Sequence, residues 1–394
     1  VWTSRRDGFR RLYLVPIDGS APRALTPAGV DVEGPPVAVD EAAGTIWWSA
    51  PSADLWHDVI WKGSLDGGAP VAFTDETRSH DMRAGTTGRF LVHTSSRICE
   101  PRTTVLRRAD GSEVRRLAAE ATASFAELDL EPPELVRVPG PEGTEGLELP
   151  ALVFGGRDLD PARPKPILVH TYGGPGARLA KDAFGGGHLL EHLLAREGYV
   201  VLVVDGRGSG GRGKAFEAVV HRRLGEVEIE DQARAVKWLA KRPGVDGTRV
   251  GIWGWSYGGF MACSALVRAP DVFRAAVAVA SVTDWRLYDT IYTERYMDTP
   301  QENPEGYKTT APALRAAEMR GALLLCHGLS DDNVHAQNTI RMQEALLQAG
   351  KTCDVALYAH RAHGIEGVKA HLDLFGRLVS HFRRHVLEAP PPPK

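Results

Sequence analysis

Gly254-Trp255-Ser256-Tyr257-Gly258 decides how the rest of the chain is read. Before it runs Arg249-Val250-Gly251-Ile252-Trp253, a short apolar strand. After it, Gly259 to Val267 reads as a buried helix. Strand, sharp turn and helix with serine at the apex is the setting in which a nucleophile stands clear of a sheet. The flanking glycines let strand and helix approach without a Cβ clash. Backbone N–H groups at the helix start would lie beside the hydroxyl. A glycine-rich turn that merely contains a serine is the plain alternative, and the partners of the serine decide between the two.

Serine is a poor nucleophile at neutral pH and needs a base. Leu323 to Gly328 is a strand that ends in a loop with Asp331-Asp332-Asn333. Asp354 to Ala359 is a strand that ends in a loop with His363-Gly364. Both loops leave the carboxyl ends of strands, the edge where α/β sheets build sites. His363 would take the Ser256 proton, and an aspartate would hold the imidazole and stabilise its charged form. Spacing alone leaves Asp331 and Asp332 both open for that place. The order serine, acid, histidine is that of α/β-hydrolases. The oxyanion needs two donors. One is the backbone N–H of Tyr257. Leu168 to Thr171 leads into Tyr172-Gly173-Gly174-Pro175-Gly176, in the position of the second donor loop, and the Tyr172 hydroxyl is the candidate there.

The same alternation extends outward. Ile167–His170, Tyr199–Val204, Ala275–Ala280, Ala322–Cys326 and Val355–Tyr358 read as strands. Leu189–Arg196, Ile229–Ala240, His335–Gln348 and Leu372–Val386 read as helices. That predicts an α/β hydrolase domain, a doubly wound, mostly parallel sheet covered on both faces.

The first third repeats itself. Asp-Gly pairs begin at 18, 66 and 110, each between two strand-like runs. This is a hairpin signal, and the spacing is near that of β-propeller blades. Two or three blades cannot close a ring, so further blades are expected upstream or on another chain. The start at Val1, without methionine and inside a strand-like pattern, predicts a piece of a longer polypeptide. Pro132-Pro133 and Pro139-Gly140-Pro141 bracket what reads as a linker. The domains are placed at 1–125 (part of a propeller), 126–388 (hydrolase) and 389–394 (a disordered proline-rich tail).

Composition excludes several classes. The net charge is −3, which gives no basic footprint for nucleic acid or an anionic membrane. No apolar run approaches the ~20 residues of a membrane span. The four cysteines include no C-x-x-C pair and read as free buried thiols. Two further motifs compete for a function. His188-Leu189-Leu190-Glu191-His192 fits an inverted zinc-protease pattern. Gly206-Arg207-Gly208-Ser209-Gly210-Gly211 fits a dinucleotide loop, but it carries Arg207, Arg212 and Lys214 rather than opening a helix directly. Beside complete serine machinery, both give way, and no metal or cofactor is expected.

The chain resembles the prolyl oligopeptidase family of serine peptidases, in particular its dipeptidyl peptidase IV branch. The resemblance runs from Val136 to Leu387. It rests on the Tyr172 to Gly176 loop, Asp205 to Gly210, Gly254 to Gly259, Tyr292 to Met297, and Asp331-Asp332-Asn333-Val334-His335. It implies that Asp331 is the acid and Tyr172 the oxyanion tyrosine. Tyr257, Val282, Trp285, Tyr288, Tyr292 and Val334 match the pocket for the residue before the scissile bond. Asn333 matches the group that holds the preceding carbonyl. Four aromatic rings and two valines would make an apolar box for a proline ring or an alanine; core packing is the plain reading of the same residues. The resemblance implies release of amino-terminal dipeptides with penultimate Pro or Ala, through an acyl-enzyme on Ser256. Its peptide substrates would carry a free N-terminus. It also implies a homodimer, and a periplasmic or secreted location where the sequence itself leaves the cytoplasm open. The paired glutamates that bind the substrate's amino terminus have no match in residues 1–125. A tripeptidyl or prolyl endopeptidase register, or a non-catalytic propeller scaffold, are the competing readings.

Overall fold

The computed structural model describes all residues except 86–87, 120–124, 186–187 and 389–394, so the proline tail lies outside the described residues. Two compact units result. One comprises Val1–Pro132 with Ala180–Leu190 and Ser209–Glu217; the other comprises Pro133–Leu179, Glu191–Gly208 and Ala218–Lys394.

The first unit holds three antiparallel sheets. Strands β1 (Trp2–Ser4), β2 (Arg11–Leu14) and β3 (Arg23–Ala24) form the first. Strands β4 (Ala38–Asp40), β5 (Thr45–Pro51), β6 (Asp58–Ser64) and β7 (Val71–Ala72) form the second. Strands β8 (Ser79–Ala84), β9 (Phe90–Arg97), β10 (Glu100–Arg108) and β11 (Glu113–Ala119) form the third. Each Asp-Gly pair closes the last hairpin of its sheet, and Gly19, Gly67 and Gly111 adopt φ of 83°, 102° and 92°. Only glycine takes that backbone without strain, which is why the turn is legible. Side chains alternate across a strand, so the adjacent Trp47 and Trp48 on β5 face opposite ways. Trp48 packs with Leu12 and Leu25, and Trp47 with Ile60, Met82 and Leu91.

The second unit is built on one eight-stranded sheet. Its strands are β12 (Glu134–Pro139), β13 (Glu148–Phe154), β14 (Lys165–His170), β15 (Val200–Val204), β16 (Val245–Trp255), β17 (Ala275–Val279), β18 (Ala322–Gly328) and β19 (Asp354–Tyr358). Their spatial order is β12-β13-β15-β14-β16-β17-β18-β19. The first two are antiparallel additions and the rest run parallel. Inner strands β15 and β17 are buried at every residue, as strands covered on both faces must be. The stretch expected to be a linker is different: Glu134–Pro139 is a strand, and Pro139-Gly140-Pro141 turns it back into β13. Its alternation of polar and apolar residues is short and hidden between prolines.

Candidate active site

Strand β16 ends at Trp255, and helix α1 (Tyr257–Arg268) starts one residue after Ser256. Ser256 itself is held at φ 61°, ψ −117°, a strained conformation for a residue with a side chain. Its amide is fixed by a 2.8 Å hydrogen bond to the Val279 carbonyl of the next strand. The elbow glycines have a specific task. A Cβ on Gly254 would stand 2.3 Å from the Thr171 carbonyl oxygen, and one on Gly258 would stand 2.2 Å from the same atom. Only bare backbone lets the Thr171-Tyr172 turn lie against the elbow, so these glycines seat the loop that carries Tyr172.

Asp331 follows β18 and His363 follows β19, both at the edge that carries Ser256. His363 Nδ1 donates to Asp331 Oδ2 at 2.8 Å, and Asp331 Oδ1 accepts the amides of Asn333 (3.0 Å) and Val334 (2.9 Å). These contacts favour Asp331 over Asp332. The Trp255 indole donates to the His363 carbonyl at 2.8 Å, which ties the histidine loop to the residue before the serine. No hydrogen bond of the Ser256 hydroxyl is found among the described residues. Bonds of this kind often tighten only with substrate in place.

His327, on β18, is a supporting residue that sequence reading missed. It is fully buried, and its Nε2 donates to the Val334 carbonyl at 2.7 Å while lying 3.3 Å from Asp331 Oδ2. Thr339 holds its other nitrogen at 2.8 Å. Burial pushes the Asp331 pKa up, but the hydrogen bonds from His327 and His363, the His363 charge and the Asn333 amide outweigh it. The carboxyl is held well below the ordinary range, so it stays ionised beneath the imidazole.

The expected pocket aromatics meet. The rings of Tyr257 and Trp285 lie 5.5 Å apart, Trp285 and Tyr292 stack at 6.1 Å, and Tyr288 meets Tyr292 edge-on at 5.4 Å. Tyr172 lies 6.1 Å from Tyr257. The Tyr288 hydroxyl donates to Asn333 Oδ1 at 2.8 Å, joining the pocket to the aspartate loop. Val282 and Val334 are buried at the starts of the loops after β17 and β18. Two rings were not foreseen. Phe260 fills the space behind Tyr257 and Trp285, 5.2 and 4.9 Å away. Tyr296 lies 4.9 Å from Tyr292, one turn along helix α2 (Thr290–Met297). Burial raises the Tyr172 pKa, with a smaller effect from Tyr296, so its phenol keeps its proton and can donate.

The competing motifs have other employments. Glu191 is fully buried with Oε1 2.6 Å from His170 Nδ1, and His192 packs edge-on against Phe154 at 4.9 Å. Arg207, in the glycine loop, forks onto Asp231 at 2.9–3.1 Å, and its amide donates to the same carboxylate at 2.7 Å. That loop is pinned to a helix by a carboxylate, which is the wrong charge for a phosphate cradle.

Sheet order, elbow and acid–histidine pair define the second unit as an α/β hydrolase of the serine type. Residues 189–388 match the model of the prolyl oligopeptidase family, and residues 1–102 match that of the dipeptidyl peptidase IV N-terminal region. The chain belongs to the prolyl oligopeptidase family. It is 34% identical over 394 residues to a probable dipeptidyl-aminopeptidase B of Emericella nidulans, covering 95% of this chain and 42% of the relative. The crystal structure of Porphyromonas gingivalis dipeptidyl peptidase 4 is 33% identical with a TM-score of 0.89, over 98% of this chain and 54% of that one. A putative dipeptidyl aminopeptidase IV from Bacteroides ovatus is 26% identical with a TM-score of 0.85, over 98% of this chain and 57% of that one. The chain thus spans less than half the length of the curated relatives it matches.

Proposed function

We propose that this chain carries the catalytic half of a serine dipeptidyl peptidase, which releases amino-terminal dipeptides with penultimate proline or, less well, alanine. The observation that carries the reading is the Asp331–His363 pair at 2.8 Å on the edge where Ser256 is held in its strained turn. Ser256 attacks the scissile carbonyl while His363 takes its proton, and Asp331 orients and stabilises the ring. The Tyr257 N–H and the Tyr172 hydroxyl receive the developing oxyanion. The acyl-enzyme forms as the amine leaves with the proton from His363, and water then repeats the sequence. The aromatic box of Tyr257, Trp285, Tyr288 and Tyr292 takes the ring of the penultimate residue, and Asn333 the carbonyl before it. The relatives named dipeptidyl-aminopeptidase support the dipeptide register. A homodimer and further propeller blades belong to the same reading.

The test is a fluorophosphonate label with a peptide ladder. Ser256 is expected to be labelled and Ser256→Ala to fold without labelling, with turnover down by ~10⁶. Peptides that differ only in amino-terminal length are expected to be cut two residues in. Cutting three residues in, or internally, would favour the other registers; an unlabelled wild type would leave only a scaffold.

A further inference from the structure

Helix α3 (Val227–Leu239) carries an acid in an unusual place in its first turn. Glu228 is 1% exposed. Its Oε1 accepts the Tyr257 phenol at 2.6 Å and the Gly225 amide at 2.9 Å. Its Oε2 has no hydrogen-bond partner among the described residues. A glutamate in the first helical turn can serve simply as a cap, since it answers free backbone donors there. Capping accounts for the Gly225 bond. It does not account for the burial, because a capping carboxylate works at the surface, nor for the short bond to a pocket ring. Nor does packing account for an acid with one buried oxygen unpartnered, a cost that an apolar side chain would avoid.

The surroundings point the same way. Tyr257 is 3% exposed, so its hydroxyl has no water to turn to. Gly225 sits at φ 79°, and a Cβ there would stand 2.6 Å from Phe260 Cζ. Glu228, Gly225, Phe260, Tyr257 and Trp285 therefore form one continuous pack behind the pocket wall. We infer that Glu228 is a positioning residue for substrate specificity: through its bond to the Tyr257 phenol it fixes the ring that forms one wall of the pocket, and so sets the preference for a proline ring over a smaller side chain. The inference rests on the peptidase reading above. Glu228 touches no substrate. It acts because a ring held at both ends presents a flat, unyielding face, and a proline ring gains from such a face more than an alanine methyl does.

The experiment uses wild type, Glu228→Ala and Glu228→Gln on a matched pair of dipeptide chromogenic amides, one with proline and one with alanine before the scissile bond. Labelling by a fluorophosphonate, which requires Ser256 but not the pocket, runs alongside. For Glu228→Ala, KM for the proline substrate is expected to rise about tenfold and the proline-to-alanine ratio of kcat/KM to fall about tenfold, the effect of one buried hydrogen bond. Labelling should stay within about threefold. Glutamine keeps an acceptor oxygen, so Glu228→Gln should hold the ratio within about twofold. A folded Glu228→Ala that keeps the wild-type ratio overturns the inference, as does an equal fall in both substrates and in labelling. If Glu228→Ala does not fold, Tyr257→Phe removes the same bond and keeps the ring. The same fall in ratio is expected, and an unchanged ratio overturns the inference. A wild type that is labelled but cleaves neither amide overturns the peptidase reading first, and the inference falls with it.

Discussion

Two buried carboxyls stand within the same unit, Asp331 in the loop after β18 and Glu228 at the head of a helix, and their surroundings drive them apart. Asp331 receives His363, His327 and two backbone amides. Glu228 receives one phenol and one amide, with apolar rings around it. Burial pushes the Glu228 pKa up to about 7, and the nearby Asp231 adds to the push against the hydrogen bonds from Tyr257 and Gly225. Asp331 is held far lower, as an anion. The difference teaches that burial alone does not decide charge; the count of donors does. One acid holds a histidine, the other a ring.

The strongest way to break this contrast is to remove the charge from the donor-rich acid. Asp331→Asn keeps the shape but offers His363 an amide, which permits the wrong tautomer. A fall in kcat of ~10⁴ is expected in steady-state turnover of a proline amide. A loss under tenfold would mean that Asp331 does not orient His363. A smaller effect sharpens the contrast through the two phenols. The Tyr257 hydroxyl is engaged by Glu228, whereas that of Tyr172 makes no hydrogen bond among the described residues. Tyr172→Phe should lower kcat by about 10² with little change in KM, since the lost bond forms in the transition state. A wild-type rate would leave the oxyanion to backbone donors.

The smallest expected effect is on stability. Glu228 has a folded pKa above its unfolded one, so the folded state holds a proton that the unfolded chain has released. Its contribution is therefore full below about pH 4.3 and is lost as pH rises toward about 7. Asp331 runs oppositely: its contribution is full above about pH 3.9 and lost as pH falls through its depressed value. The Tm of Glu228→Gln minus that of wild type should thus be larger at pH 8 than at pH 5. The expected scale is about 2–4 °C for each kcal/mol of the shift, read by thermal melts. A difference that does not vary with pH would remove the protonated Glu228 from the account.

Much of this site is legible in the sequence because its parts obey local rules. The elbow needs glycines around Ser256, the hairpins need Gly19, Gly67 and Gly111, and buried parallel strands read as apolar runs. What escaped is set by tertiary surroundings. Glu228 lies in the acidic run Glu226 to Asp231, which reads as a wetted helix face. The available signal was the helical period: Glu228, Gln232, Ala235 and Leu239 share one buried stripe. His327 hid at the end of an apolar strand, where a polar residue reads as the start of a loop. Strands β12 and β13 hid behind prolines that belong to their turn.

The adjacent tryptophans of β5 carry one further consequence. Because Trp47 and Trp48 point into separate clusters, the middle sheet of the first unit meets each neighbour through a different cluster, with Trp48 in one and Trp47 in the other. In a stack where each layer feels only the next, cooperativity is a chain of nearest-neighbour couplings. Here two successive positions contribute one to each coupling of the middle layer, Trp48 beside Ile46 and Ala50, Trp47 beside Ala38 and Ile60. Truncating Trp48 would weaken the coupling to the first sheet and leave that between the second and third intact; truncating Trp47 would weaken the other side.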